Sequence, residues 1–141
     1  MTIASLGQGI GAIALYAVIG LVLMVAGFYV IDWTTPGKLS QLVREGRPNA
    51  AVVTASGLFS IAFIVVVTIW FSPAKLSDGL ITSLVFGLVG IIAQVLVMRV
   101  FEFVLRLDIG GMLAAEKFTP ASLVVAAANV SLGLVVAVAI S

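Results

Sequence analysis

The sequence predicts an all-α membrane protein. Four transmembrane helices form two helical hairpins in parallel repeat, with short amphipathic cytoplasmic helices at their bends. Three observations predict it. Hydrophobic residues make up 62% of the chain and charged residues 9%, against about 45–50% and about 25% in a soluble domain. The 7 Lys+Arg and 6 Asp+Glu are bunched, so that residues 1–31, 48–74, 79–98 and 118–141 carry no charge at all. Each of those runs is long enough for a helix crossing a hydrocarbon core of about 30 Å.

Span 1 covers Ile10–Ile31 and is closed by Asp32. The N-terminus lacks a basic stretch, and its apolar run exceeds the h-region of a secretory signal, so it reads as a retained span. Thr34-Thr35-Pro36-Gly37 breaks the helix, with Thr35 and Pro36 as a cap and first-turn pair for a short second element. That element, Lys38–Glu45, sets Leu39, Leu42 and Val43 on one face and reads as an amphipathic helix in the headgroup region. Gly46 stops it, and Pro48 opens span 2, Asn49–Phe71.

Ser72-Pro73-Ala74-Lys75 turns the chain, and Asp78-Gly79 leads into span 3, Leu80–Phe103. Asp108-Ile109-Gly110-Gly111 reads as a break, with a second short segment at Met112–Lys117. Thr119-Pro120 repeats the cap-plus-proline signal and opens span 4, Ala121–Ile140. The chain is thus one transmembrane domain, 1–141, built as repeat 1 (1–74) and repeat 2 (75–141). A shift of 71 residues places Leu42 on Leu113, Glu45 on Glu116, Ala50 on Ala121, Val53 on Val124 and Ser60 on Ser131. Two spans per unit return the chain to its starting side, so the repeat is parallel, about an axis along the membrane normal.

The positive-inside rule orients it. The first connection carries Lys38, Arg44 and Arg47, and the third carries Arg106 and Lys117 with Arg99 just before it. The middle connection has only Lys75, and the tails have none. Connections one and three are expected in the cytosol, with both termini outside the cytoplasm, in a multi-pass protein of the bacterial inner membrane. Tyr29 and Trp33 mark one interface and Trp70 the other.

The absent residues exclude chemistry. Without His or Cys there is no ordinary zinc, haem or iron–sulfur site and no Ser-His-Asp or Cys-His nucleophile. None of the acidic residues lies mid-span, so no carboxylate pair is placed for a proton relay. Catalytic residues, metal and cofactor are all expected to be absent, and a net charge of +1 gives no basis for nucleic-acid binding.

Asp32-Trp33-Thr34-Thr35-Pro36-Gly37-Lys38-Leu39, followed by Arg47-Pro48-Asn49-Ala50-Ala51, carries a resemblance. The chain resembles the small bacterial membrane proteins of domain of unknown function family 350, also grouped as uncharacterised protein family 0719. Mycobacterial and other actinobacterial members look most similar. The motif residues are Asp32, Thr35, Pro36, Gly37, Asn49 and Ala50; in the second half the Asn-Ala-Ala signature is degraded to Pro120-Ala121-Ser122. The resemblance implies no established activity. Family members are discussed with envelope-stress systems and with polyamine-synthase-like and peptide-ligase-like enzymes, which implies a partner role by association.

Polar residues inside the spans carry the remaining information. At 1.5 Å per residue, Gln94 lies about 10 Å from the inner edge and Asn129 about 12 Å, with Ser56 and Gly57 at the same depth. This layer reads as interhelical glue or as the wall of a small hydrated site. Arg99, Glu102 and Arg106 fall on one helix stripe at headgroup depth, for lipid contact or for docking of a cytoplasmic partner. Lys38, Arg44 and Arg47 are likewise read as residues for lipid contact or partner docking. Asp32, unfavourable at the end of span 1, either caps the Thr-Thr-Pro turn or forms a salt bridge to Arg99 or Arg106; Asn49 is read as a cap. Small residues at four-residue spacing (Gly7/Gly11, Ser56/Ser60, Ser83/Gly87 and Gly133/Ala137) permit close helix approach.

The leading expectation is a non-enzymatic structural or accessory component of an envelope complex, in contact with membrane lipids. It is expected as a homo-oligomer or a subunit of a larger complex, with a cytoplasmic protein partner. The alternatives are a small oligomeric channel or carrier with its pathway at Gln94 and Asn129, and a membrane-embedded enzyme subunit that supplies no catalytic residue.

Overall fold

Helices follow one another in the order long, short, long, and then long, short, long again. They are α1 Ile3–Thr34, α2 Leu39–Arg44, α3 Pro48–Trp70, α4 Leu76–Leu105, α5 Ile109–Ala114 and α6 Ala121–Ile140. These come from a computed structural model that describes residues 2–35, 37–106 and 108–141. Among the described residues there is no strand. The fold is that of an all-α membrane protein in which α1, α3, α4 and α6 are the four transmembrane helices.

Local chemistry sets the ends. At the start of α1, Ser5 N–H donates to Thr2 Oγ1 at 3.1 Å and Thr2 N–H donates to Ser5 Oγ at 2.9 Å. This capping box lets the helix begin well before the apolar span expected at Ile10. With 32 residues, α1 is about 48 Å long at 1.5 Å per residue and outruns a hydrocarbon core of about 30 Å. Pro48 stands at the first position of α3, where its missing N–H and fixed φ cost nothing. The first turn of α4 already contains Asp78, whose charge suits a helix N-terminus.

The second short helix differs from the sequence expectation. α5 begins at Ile109 and contains Gly110 and Gly111, the pair read as a break, and it ends at Ala114 rather than running to Lys117. Two forces override the weak helix propensity of glycine. Asp108 caps the helix, its Oδ1 accepting from Gly111 N–H at 3.1 Å. Ile109, Met112 and Leu113, spaced i, i+3, i+4, are all buried. α2 likewise buries Leu39 and packs Leu42 against the core, while Val43 stays exposed.

The most extensive packing is between α3 and α6; α4 touches α1, α3 and α6, while α1 rests on α3 and α4. Small residues make the α3–α6 approach possible. A Cβ on Gly133 would stand 2.7 Å from the Cα of Ser60, so glycine is what the close approach requires. Gly87 and Gly90 play the same part on α4, receiving Leu23 and Ile64 respectively. Three of the four small pairs thus pack inside the protein. The fourth, Gly7/Gly11, faces open space, in the part of α1 before Leu23, the first residue that the helix buries.

Candidate functional site

Within the bundle, four polar side chains from three helices meet. Gln94 of α4, Asn129 of α6 and Ser56 and Ser60 of α3 are all buried. The Asn129 carbonyl accepts from Gln94 Nε2 at 3.0 Å and also from the Ser60 hydroxyl. Asn129 Nδ2 donates to Ser56 Oγ at 3.0 Å. Ser60 Oγ also lies 2.8 Å from the Ser56 carbonyl, one turn back on its own helix. Gln94, Asn129 and Ser56, placed at one depth by arithmetic, therefore do converge. Ser60 completes the cluster, and its place one turn from Ser56 on the same face was the available signal. Gly57 turns away toward Ile31. One acceptor is left over, because Gln94 Oε1 is buried without a partner among the described residues.

At the end of α1 the motif residues build a corner. Asp32 Oδ1 accepts from Leu39 N–H at 2.7 Å, so the carboxylate caps α2 from seven residues upstream and compensates its poor position in the dipole of α1. The salt bridge expected between Asp32 and Arg99 or Arg106 is not formed, because Arg99 is engaged elsewhere. Its Nη1 meets Glu102 Oε2 at 2.6 Å, its Nη2 donates to Thr35 Oγ1 at 2.7 Å and its Nε donates to Thr34 Oγ1 at 3.1 Å. A guanidinium thus closes the C-terminal end of α1, where a cation is favoured.

Thr35 does not cap α2; it is the C-cap of α1, and its hydroxyl donates to the Ile31 carbonyl at 2.6 Å. Pro36 lies outside the described residues. Gly37 has φ 86°, which favours glycine. Arg106 ends α4 in the left-handed region with φ 54° and ψ 42°, and it lines one surface concavity together with Arg99 and Glu102.

Asn49 does not cap α3: it stands inside the helix, whose N-cap is Arg47, and its side chain is turned to another part of the chain. Its Nδ2 donates to the Met112 carbonyl at 2.8 Å, the Lys117 carbonyl at 3.1 Å and Thr119 Oγ1 at 3.2 Å. Its Oδ1 accepts from Thr119 N–H at 2.8 Å. The side chain is fully buried, as is its neighbour Ala50. Nearby, Arg47 pairs with Glu116 at 3.3 Å and lies 3.7 Å from Glu45. Lys38 and Arg44 stay exposed at the ends of α2.

The corner at Asp32–Lys38 and the latch at Asn49 are the two pieces of the sequence motif, now placed in space. A family model described as Domain of Unknown Function (DUF350) matches residues 5–140. The chain belongs to that family. A UPF0719 transmembrane protein of Mycolicibacterium paratuberculosis is 31% identical over 135 residues, covering 95% of this chain and 89% of its own length. UPF0719 transmembrane proteins of Mycobacterium bovis and Mycobacterium tuberculosis are each 37% identical over 81 residues, or 57% of this chain and 53% of their own length. No solved structure matches. As a DUF350 protein the chain is a multi-pass membrane protein. Its motif builds the α1–α2 corner and ties α3 to the segment before α6.

Proposed function

We propose that this DUF350 chain is a non-enzymatic structural or accessory subunit of a bacterial envelope complex in the inner membrane. One observation carries the reading. Gln94, Asn129, Ser56 and Ser60, buried within the spans, bond across three helices in one cluster, whereas exposed cations such as Lys38 and Arg44 lie outside the spans. Groups spent on each other hold helices in register; exposed charge is what a partner meets. In this reading the polypeptide is two parallel hairpin repeats with both termini outside the cytoplasm, as the Lys and Arg count favours. The connections near α2 and α5 then meet inner-leaflet lipid and a cytoplasmic protein. The open Gly7/Gly11 face of α1 is covered by a second copy or by another subunit.

Affinity purification in mild detergent, with mass spectrometry of what accompanies the chain, tests this reading. A cytoplasmic protein retained by the native chain and lost from the Lys38→Gln/Arg44→Gln variant supports it. Identical recoveries for the two, or accessibility labelling that places Arg44 outside the cell, overturn it.

The unpartnered Gln94 Oε1 favours a second reading, a small oligomeric channel or carrier with its pathway at Gln94 and Asn129. Solute flux in liposomes that is abolished by Gln94→Leu/Asn129→Leu supports that pathway. Absence of flux from the native chain removes it.

A further inference from the structure

Where α1 ends and α4 turns into α5, the surface opens into a concavity of about 950 Å³. Its wall carries four charged side chains, Arg99, Glu102, Arg106 and Asp108, two of each sign, and Phe103 stands beside them. The four are not equivalent. Arg99 and Glu102 are closed on each other at 2.6 Å, and Arg99 is further held by Thr34 and Thr35. They form a neutral base. Arg106 and Asp108 are exposed, and neither has an ion-pair partner among the described residues.

Arg106 takes the left-handed conformation at the helix end where glycine is the usual residue. For an L-residue this conformation is unfavourable, and here it ends α4. Asp108 spends one oxygen on the Gly111 N–H and remains exposed. The mouth of the concavity therefore offers one guanidinium and one carboxylate, two positions apart in the chain.

The surroundings select the ligand. Phe103 and Val104 are 84% and 68% exposed at the end of a transmembrane helix, where acyl chains lie beside polar headgroups. A headgroup of net negative charge would satisfy Arg106 but leave the Asp108 carboxylate beside it without a cation. A zwitterion matches the balance. We propose that this concavity seats the headgroup of a phospholipid bearing a primary amine, phosphoethanolamine, with its phosphate on Arg106 and its ammonium on Asp108. Guanidinium suits phosphate through its planar fork of donors, and an ammonium with N–H donors satisfies a carboxylate as a quaternary amine cannot. The inference goes beyond the proposed subunit role and holds whichever leaflet contains the site.

Native mass spectrometry of the full chain, released from micelles holding equal amounts of phosphatidylethanolamine, phosphatidylcholine and phosphatidylglycerol with matched acyl chains, tests it. The phosphatidylethanolamine adduct is expected to exceed each of the others by about three- to tenfold, the worth of one charge-assisted hydrogen bond at a wet site. Asp108→Asn keeps an acceptor for the α5 cap and is expected to bring phosphatidylethanolamine down to the level of phosphatidylcholine. Arg106→Asn, with a residue that tolerates positive φ, is expected to abolish selective retention. Equal retention of the three lipids by the native chain overturns the proposal without recourse to any variant. So does preference for phosphatidylglycerol, which denotes an anionic-lipid site. Displacement of the lipid by millimolar soluble phosphoethanolamine would assign the site to a free phosphomonoester and also overturns it.

Discussion

Asn49 holds Thr119 by both ends of its amide: Oδ1 accepts from the Thr119 N–H at 2.8 Å and Nδ2 donates to Thr119 Oγ1 at 3.2 Å. The same Nδ2 reaches the Met112 and Lys117 carbonyls. One side chain at the start of α3 thus bonds the Met112 carbonyl of α5 and, between α5 and α6, the Lys117 carbonyl and the Thr119 N–H. Asn49→Ala removes all of these partners at once and is expected to cost about 1–3 kcal/mol. Asn49→Asp keeps the shape but replaces a donor with an acceptor facing two carbonyls, and is expected to be worse than alanine. Thermal unfolding in detergent, followed by circular dichroism, ranks the three.

Asp32 gives a sharper contrast between two substitutions. Its role is an acceptor for Leu39 N–H at 2.7 Å, and its negative charge stands unfavourably at the end of α1. Asp32→Asn retains the acceptor and relieves the charge, so its melting temperature is expected to stay close to that of the native chain. Asp32→Ala loses the cap, at a cost of about 1 kcal/mol. A melting curve that drops as far for asparagine as for alanine would mean that the charge itself is used, as a salt bridge would require.

These contrasts show which parts of the protein are legible in the residues alone. The four helices are legible because charge is excluded from the bilayer core, and that leaves long gaps in the sequence. The meeting of Gln94, Asn129 and Ser56 is legible because depth in a membrane follows from counting residues along a straight helix. The partners of Asn49 lie 63 to 70 positions away, in α5 and in the irregular segment that follows it, and no periodicity encodes such a contact. The partners of Arg99 are hidden because a carboxylate, Asp32, stands beside the threonines and offers the stronger attraction by charge alone. The α2 N–H has already claimed that carboxylate. The position of α5 is obscured when the Gly110-Gly111 pair is weighted above the i, i+3, i+4 spacing of Ile109, Met112 and Leu113.

Gly133 is expected to tolerate change poorly. An added methyl would meet the Cα and Cβ of Ser60 at 2.7 Å, and backbone cannot swing aside as the end of a side chain can. Gly133→Ala is expected to destabilise by about 1–3 kcal/mol and to loosen the Ser60–Asn129 contact. Gly7→Ala is the control, since nothing lies within 4 Å of the added carbon, and the monomer is expected to keep its melting temperature. A change in oligomeric state for Gly7→Ala alone, read by multi-angle light scattering in detergent, would place a second copy on that face.

The clamp made by Arg99 depends on the shape of its head group as well as on its charge. Three separate nitrogens serve Thr34, Thr35 and Glu102, an arrangement a planar guanidinium meets and a single ammonium does not. Arg99→Lys is therefore expected to keep the pairing with Glu102 but lose the hold on α1. Arg99→Gln leaves the Glu102 carboxylate, whose side chain is only 11% exposed, without its cation, and is expected to be the more costly change by about 1–3 kcal/mol. Adding Glu102→Gln to Arg99→Gln removes the stranded charge and is expected to recover part of that loss, leaving the cost of the two threonine contacts. With Glu102→Gln alone added, the native chain, the two single glutamine variants and the double variant form a cycle that separates the ion pair from the hydroxyl contacts. If the double variant melts no higher than Arg99→Gln alone, the pair contributes nothing and the threonines carry the joint between α1 and α4.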